Sequence, residues 1–154
     1  MKKLFISLIM LTVSLVSMGQ KHVFMGVPVI GARQFSSALI EKGFVKVEPN
    51  DSIKTDIDAD NVPVLKGKFL EEEVDVSAIL QEGKMMVIVT FYPKEGLSVE
   101  DHTEKIVQEY KKASGIEIPK QGNSYTYIDN NNMSFTVVTP YEEKVLMMYF
   151  YAIQ

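Results

Sequence analysis

Asp56, Asp58 and Asp60 alternate along the chain in the way that opens a calcium-binding loop. The match fails further on. Asn61 stands where such a loop needs glycine for its sharp turn, and Gly67 stands where a bidentate glutamate should close the ligand set. The reading is therefore a solvated acidic loop with no metal. His102 is flanked by Asp101 and Glu104. A general base needs a partner within hydrogen-bond reach, and helix neighbours one or two apart point in different directions. That geometry predicts an exposed, non-catalytic His102. His22 falls in a predicted mobile tail, and two distant histidines without cysteine make no zinc site. Glu71-Glu72-Glu73 offers carboxylates, but acid–base chemistry needs one of a pair buried, and consecutive glutamates in a turn read as a solvated face.

Other short patterns carry no chemistry either. Ser36-Ser37 and Ser114-Gly115 lack the strand-to-helix elbow of a serine hydrolase. Gly26 and Gly31 enclose Pro28 and lack the Lys-Ser/Thr of a phosphate loop. Asn132-Met133-Ser134 has the form of an N-glycosylation sequon, and Asp51-Ser52-Ile53 has the form of a short bacterial O-glycosylation motif. The sequence implies no cofactor. Chemistry of recognition is better represented. Tyr92, Tyr125, Tyr127, Tyr149 and Tyr151 all fall on expected strands, and a tyrosine hydroxyl needs a polar or wet partner.

The elements that must position these residues begin after a leader. Lys2 and Lys3 precede an apolar run from Leu4 to Val16, and Ser17-Met18-Gly19 places small residues where signal peptidase reads. Residues 1–19 are predicted to be a signal peptide and residues 20–154 a single domain. Lys plus Arg number 16 and Asp plus Glu 20, a formal charge of −4 that becomes −6 once Lys2 and Lys3 are removed. An acidic surface disfavours nucleic acid or an anionic membrane as partner. There is no cysteine, which excludes disulfides, thiol catalysis and a lipoprotein anchor. Export without cysteine fits a bacterial envelope, periplasmic or secreted, with no stable membrane insertion after cleavage.

Met85 to Phe91 is a run of apolar and β-branched residues, too short to span a membrane, and it reads as a strand in the middle of a sheet. Val145 to Ile153 has the same character. A helix is expected over Ala32 to Lys42, stopped by Gly43 and followed by Phe44 in the Schellman manner. A second helix starts from Ser98 as N-cap, has Glu100 and Asp101 in its first turn, and ends at Gly115-Ile116. Its buried stripe is predicted as Val99, Thr103, Ile106, Val107, Tyr110 and Ala113. Strands are expected over 44–48, 62–70, 73–80, 124–129 and 133–139, with 49–61 as a long loop. The order helix, strands, helix, strands predicts an α+β fold. Two helix-plus-antiparallel-strands units, 32–93 and 98–154, would form one sheet with the helices on one face.

Phe24-Met25-Gly26-Val27-Pro28-Val29-Ile30-Gly31, then Phe35, Leu39 and Lys42-Gly43-Phe44, resembles the start of small exported proteins of gut-type bacteria. The doubled helix-plus-strands order is similar to the β-lactamase-inhibitor-protein-like fold. That resemblance implies a non-catalytic binding module of the bacterial envelope and supplies no active site.

Strand alternation then assigns faces. Leu146, Met148, Phe150 and Ala152 carry no hydroxyl and are assigned to the helix-covered core, with Val87, Val89 and Phe91. Val145, Met147, Tyr149, Tyr151 and Ile153 are assigned to the outer face, with Ile88, Thr90 and Tyr92. Thr90, Tyr92, Tyr149 and Tyr151 are thus the candidate binding residues, for a protein or other envelope ligand. Two rival readings stand beside this one. One is a small hydrolase using His102 with a carboxylate, which requires the two to converge in a cleft. The other is a structural homodimer that pairs its sheets.

Overall fold

A computed structural model describes residues 22–47, 64–131 and 133–152. The leader, the loop with Asp56, Asp58 and Asp60, the 51–53 motif, Asn132 and Ile153 lie outside these residues. Among the described residues the chain forms two α-helices and ten strands. In chain order they are β1 (Val23–Phe24), β2 (Val27–Pro28), α1 (Ala32–Glu41), β3 (Val45–Val47), β4 (Val64–Phe69), β5 (Glu72–Gln81) and β6 (Lys84–Phe91). Then come α2 (Val99–Ser114), β7 (Lys120–Gln121), β8 (Ser124–Asp129), β9 (Ser134–Tyr141) and β10 (Lys144–Ala152).

The fold is α+β, as the sequence predicts. β3 to β10 form one eight-stranded antiparallel sheet in the order β3-β4-β5-β6-β10-β9-β8-β7. Each half is a helix followed by a four-strand meander, and the last strand of each half meets the other at the centre. Those two central strands, β6 and β10, are the two longest apolar runs of residues 20–154. Central placement follows from their composition: β-branched and aromatic residues tolerate a backbone paired on both sides.

Both helices end where glycine allows a left-handed residue. Gly43 has φ 103°, and the Phe44 and Gly43 amides bond the carbonyls of Leu39 and Ile40, both at 3.0 Å. That is the paired bonding of a Schellman end, with Phe44 and Leu39 both in the core. Gly115, at φ 77°, closes α2 differently. Its amide bonds Lys111 O at 2.8 Å, and Ser114 Oγ accepts from the Ile116 amide at 3.1 Å. At the other end of α2, Ser98 Oγ accepts from the Asp101 amide, so the expected N-cap is present.

The helices and the short β1–β2 hairpin lie on one face of the sheet. Their apolar residues, among them Phe24, Phe35, Leu39, Ile106 and Tyr110, form one cluster with Val74, Val76, Val87, Val89 and Phe91. Phe44 packs its ring on Gly67, where any Cβ would collide with it. The expectation for β6 holds: Met85, Val87, Val89 and Phe91 are all 0 % exposed. The expectation for β10 is reversed. Val145, Met147, Tyr149 and Tyr151 are the buried set, while Leu146, Met148 and Phe150 are half-buried on the other face. Register makes the reason explicit. Tyr149 pairs with Val87 and Tyr151 with Met85, and directly paired residues share a face.

Candidate functional site

Tyr149 and Tyr151 are buried because the N-terminal hairpin gives their hydroxyls partners. The Tyr151 hydroxyl donates to the Val29 carbonyl, and His22 Nδ1 lies 3.2 Å from the Tyr149 hydroxyl. The His22 ring stacks on Tyr151 at 3.9 Å, and Phe24 stacks on Tyr149 at 5.1 Å. His22 is therefore part of the packed structure, contrary to the expectation of a mobile tail. Burial raises the hydroxyl pKa of both tyrosines above the ordinary value. The four candidate binding residues accordingly divide. Tyr149 and Tyr151 belong to the core, and Thr90 and Tyr92 belong to the face opposite the helices.

Among the described residues neither helix nor the hairpin packs on the opposite face, which is graded along the strands and on which Ile79 is 8 % exposed. Register sets five residues from five neighbouring strands side by side: Ile79, Met86, Phe150, Phe135 and Ile128. The next row is Ser77, Ile88, Met148, Val137 and Thr126. The row beyond it is polar at four of its five positions: Lys66, Asp75, Thr90, Leu146 and Thr139. One end of the face is thus apolar and the other charged. Phe135 and Phe150 stack at 4.4 Å, yet Phe135 remains 40 % and Ile128 64 % exposed. At the polar end Tyr92 donates its hydroxyl to Asp75 Oδ2, and Lys66 Nζ sits 5.5 Å above the Tyr92 ring. Partial burial, and then the Asp75 carboxylate, push the Tyr92 hydroxyl up to about 12.

The apolar row is not legible in the hydroxyl pattern that assigns the faces. A signal for it existed. Met85–Val89 and Leu146–Met148 are apolar without alternation, the pattern of strands buried on both faces.

His102 is buried, contrary to the expectation of an exposed residue. It is 1 % exposed and belongs to the buried stripe of α2, whose members also include Thr103, Ile106, Val107 and Tyr110. Its position, three residues after Val99 and four before Ile106, is the spacing of that stripe. The ring nitrogen Nε2 donates to Glu72 Oε1 at 2.7 Å, and the ring edge meets Phe91 in a T-shaped contact at 6.5 Å. Among the described residues Nδ1 has no hydrogen-bond partner. Glu72, at the start of β5, is turned inward with its side chain 12 % exposed, whereas Glu71 and Glu73 are exposed as expected.

His102 also borders an open cleft of about 280 Å³ with Pro93, Lys94, Leu97, Val99, Glu142 and Glu143. The Lys94 ammonium beside Lys105 disfavours a second positive charge there and holds Lys105 below the usual lysine value. The cleft lining contains no hydroxyl nucleophile. Among the described residues no cluster of three or more histidines and carboxylates could hold a metal ion, and no helix is long and apolar enough to cross a membrane.

Comparison of the chain with family models, with curated proteins and with solved structures returns no match.

Proposed function

We propose that the protein is an exported, non-catalytic module that binds a protein partner of the bacterial envelope through the face of its sheet opposite the helices. The observation that carries this reading is the apolar row Ile79, Met86, Phe150, Phe135 and Ile128 on the side opposite both helices. Scattered apolar residues on a surface need no explanation, but a contiguous row bordered by polar residues is the pattern of an interaction site. Thr90 and Tyr92 form the polar border and would contribute hydrogen bonds. Tyr149 and Tyr151 have no part in it.

The test is face-dependent capture. Mature protein immobilised on a resin is exposed to envelope extract of the producing cell, alongside Ile128→Glu, a change at an exposed position that leaves the core intact. A partner retained by the wild type and released by Ile128→Glu is the expected result. Identical retention by both, and by a Tyr92→Ala variant, would overturn the reading.

A hydrolase is the second reading, and one observation favours it: His102 and Glu72 do converge, beside a cleft. Weighing against it, the His102 ring is 1 % exposed and the cleft lining offers no hydroxyl or thiol nucleophile. A general base must reach a substrate proton directly or through one water.

A further inference from the structure

We infer that the N-terminal hairpin, His22 to Val29, is a strap that opens and closes as one unit while the eight-stranded sheet stays folded. This does not rest on the binding role proposed above.

β1 and β2 have two residues each. Among the described residues they pair with one another and share no ladder with β3 to β10. A lone two-stranded hairpin is marginally stable in water. Two features shape this one from within. Met25 and Gly26 turn the chain with φ of 57° and 74°, both positive as in a tight hairpin turn, and the Val29 amide donates to the His22 carbonyl at 2.7 Å. Further stability comes from the layer beneath. Phe24, Val27 and Val29 are buried, Phe24 stacks on Tyr149, and the His22 ring stacks on Tyr151. The Tyr151 hydroxyl donates to the Val29 carbonyl, the Tyr149 hydroxyl lies 3.2 Å from His22 Nδ1, and Lys42 Nζ donates to the Gly26 carbonyl at 3.2 Å. These anchors are side chains of β10 and of the residue that ends α1. Releasing them breaks no ladder bond of the large sheet. A pivot lies directly after the strap, where Ile30 is 61 % exposed and Gly31 enters α1 in extended backbone. Rotation there carries residues 22–29 away and leaves α1 in place. Terminal units with few main-chain ties are the ones that open below the global unfolding free energy. The open state bares the rings of Tyr149 and Tyr151, so the strap sets whether these two tyrosines are core or surface.

Native-state hydrogen exchange distinguishes a strap from a fixed part of the core, under conditions where reclosing outpaces exchange. The Val29 amide reports the strap, and the central amides of β6 report the sheet. In the wild type the Val29 amide should exchange at least about tenfold faster than the slowest β6 amides, yet remain protected relative to an unstructured peptide. Its rate should respond weakly to low urea, because strap opening exposes little surface, while the β6 amides respond steeply. A core variant gives the second arm. Val138 is fully buried in β9 and pairs with Tyr125 and Met147. The sheet is intact whether the strap is closed or open, so Val138→Ala destabilises both states alike. It should speed the β6 amides at least about tenfold and leave the Val29 amide at its wild-type rate. If Val138→Ala speeds both sets by the same factor, or if the Val29 amide shares the steep urea response, the hairpin opens only with the whole fold and the strap does not exist. A Val29 amide without protection overturns the proposal as well, because the closed state is then not populated. Should Val138→Ala fail to fold, the urea response of the wild type decides alone.

Discussion

Glu72 and His102 are joined by a 2.7 Å hydrogen bond that ties the start of β5 to the first turns of α2. The pair links the two halves of the molecule, because β5 belongs to the first meander and α2 covers the second. Glu72 reaches His102 from the end of a two-residue turn, Leu70-Glu71, in which both residues have positive φ, 51° and 65°. Neither is glycine or asparagine, the residues such a turn prefers.

Removing Glu72 should therefore leave a buried imidazole with no partner on either nitrogen. Glu72→Ala is expected to cost about 1–3 kcal/mol, the penalty for an unsatisfied buried polar group. Glu73→Ala, at an exposed neighbour, is expected to cost less than about 0.5 kcal/mol. Urea denaturation of the two variants checks this. Equal costs would mean that the pair contributes no stability.

The Leu70-Glu71 turn offers a gain rather than a loss. Glu71 is exposed, and a non-glycine residue at positive φ costs about 1–2 kcal/mol relative to its relaxed backbone. Glycine removes that cost but loses more chain entropy on folding. Glu71→Gly is expected to raise stability by about 0.5–1 kcal/mol. The same change at Glu73, inside a strand, should lower it. A fall in melting temperature for Glu71→Gly would contradict the turn geometry.

Tyrosine burial predicts how stability responds to alkali. Burial in the helix–sheet layer pushes the Tyr110 hydroxyl up to about 12, from 10 in the unfolded chain. The folded state keeps this proton where the unfolded state loses it. The associated stability is fully present below pH 10 and is lost as pH rises towards 12, at about 1.4 kcal/mol per pH unit at most. Tyr92 shifts in the same direction, but it is partly exposed, so solvent screens its contribution. Urea midpoints measured from pH 9 to 12 should fall in this window. Tyr110→Phe should flatten the fall, and an unchanged slope in that variant would remove Tyr110 as its cause.

The parts of the fold that were legible in the sequence are those written locally. The glycine stop of α1, the Ser98 cap and the apolar runs of β6 and β10 each lie within a few residues of the feature they specify. β1, β2 and β7, each two residues long, carry no periodicity to read. The faces of β10 were illegible for a different reason. The partners of Tyr149 and Tyr151 are His22 and Val29, 127 and 122 positions away in sequence, and no local pattern announces them. His102 repeats the lesson. Its sequence neighbours cannot reach it, and the carboxylate that does is 30 residues earlier. In both places a polar atom is not a sign of water. A polar group can be buried wherever the fold delivers a hydrogen-bond partner.

The two faces of β10 give the sharpest test of this account. Tyr149 is 6 % exposed, stacks on Phe24 and touches His22 through its hydroxyl. Tyr149→Ala removes a core aromatic and should cost about 3–5 kcal/mol. Tyr151→Phe is a narrower change. It keeps the ring on His22 but strips the donor from the buried Val29 carbonyl, and should cost about 1–3 kcal/mol. Phe150 lies between these tyrosines in sequence and on the opposite side of the sheet. It is half-buried, and Phe135 is its stacking partner at 4.4 Å. Phe150→Ala loses that stacking and part of a ring's burial, and should cost only about 1–2 kcal/mol. Equilibrium urea unfolding of the three variants orders them. The expected order is Tyr149→Ala well above Phe150→Ala, the reverse of what hydroxyl content alone suggests. If Phe150→Ala proves the more damaging, the apolar row is covered within the monomer, and no partner has that face to bind.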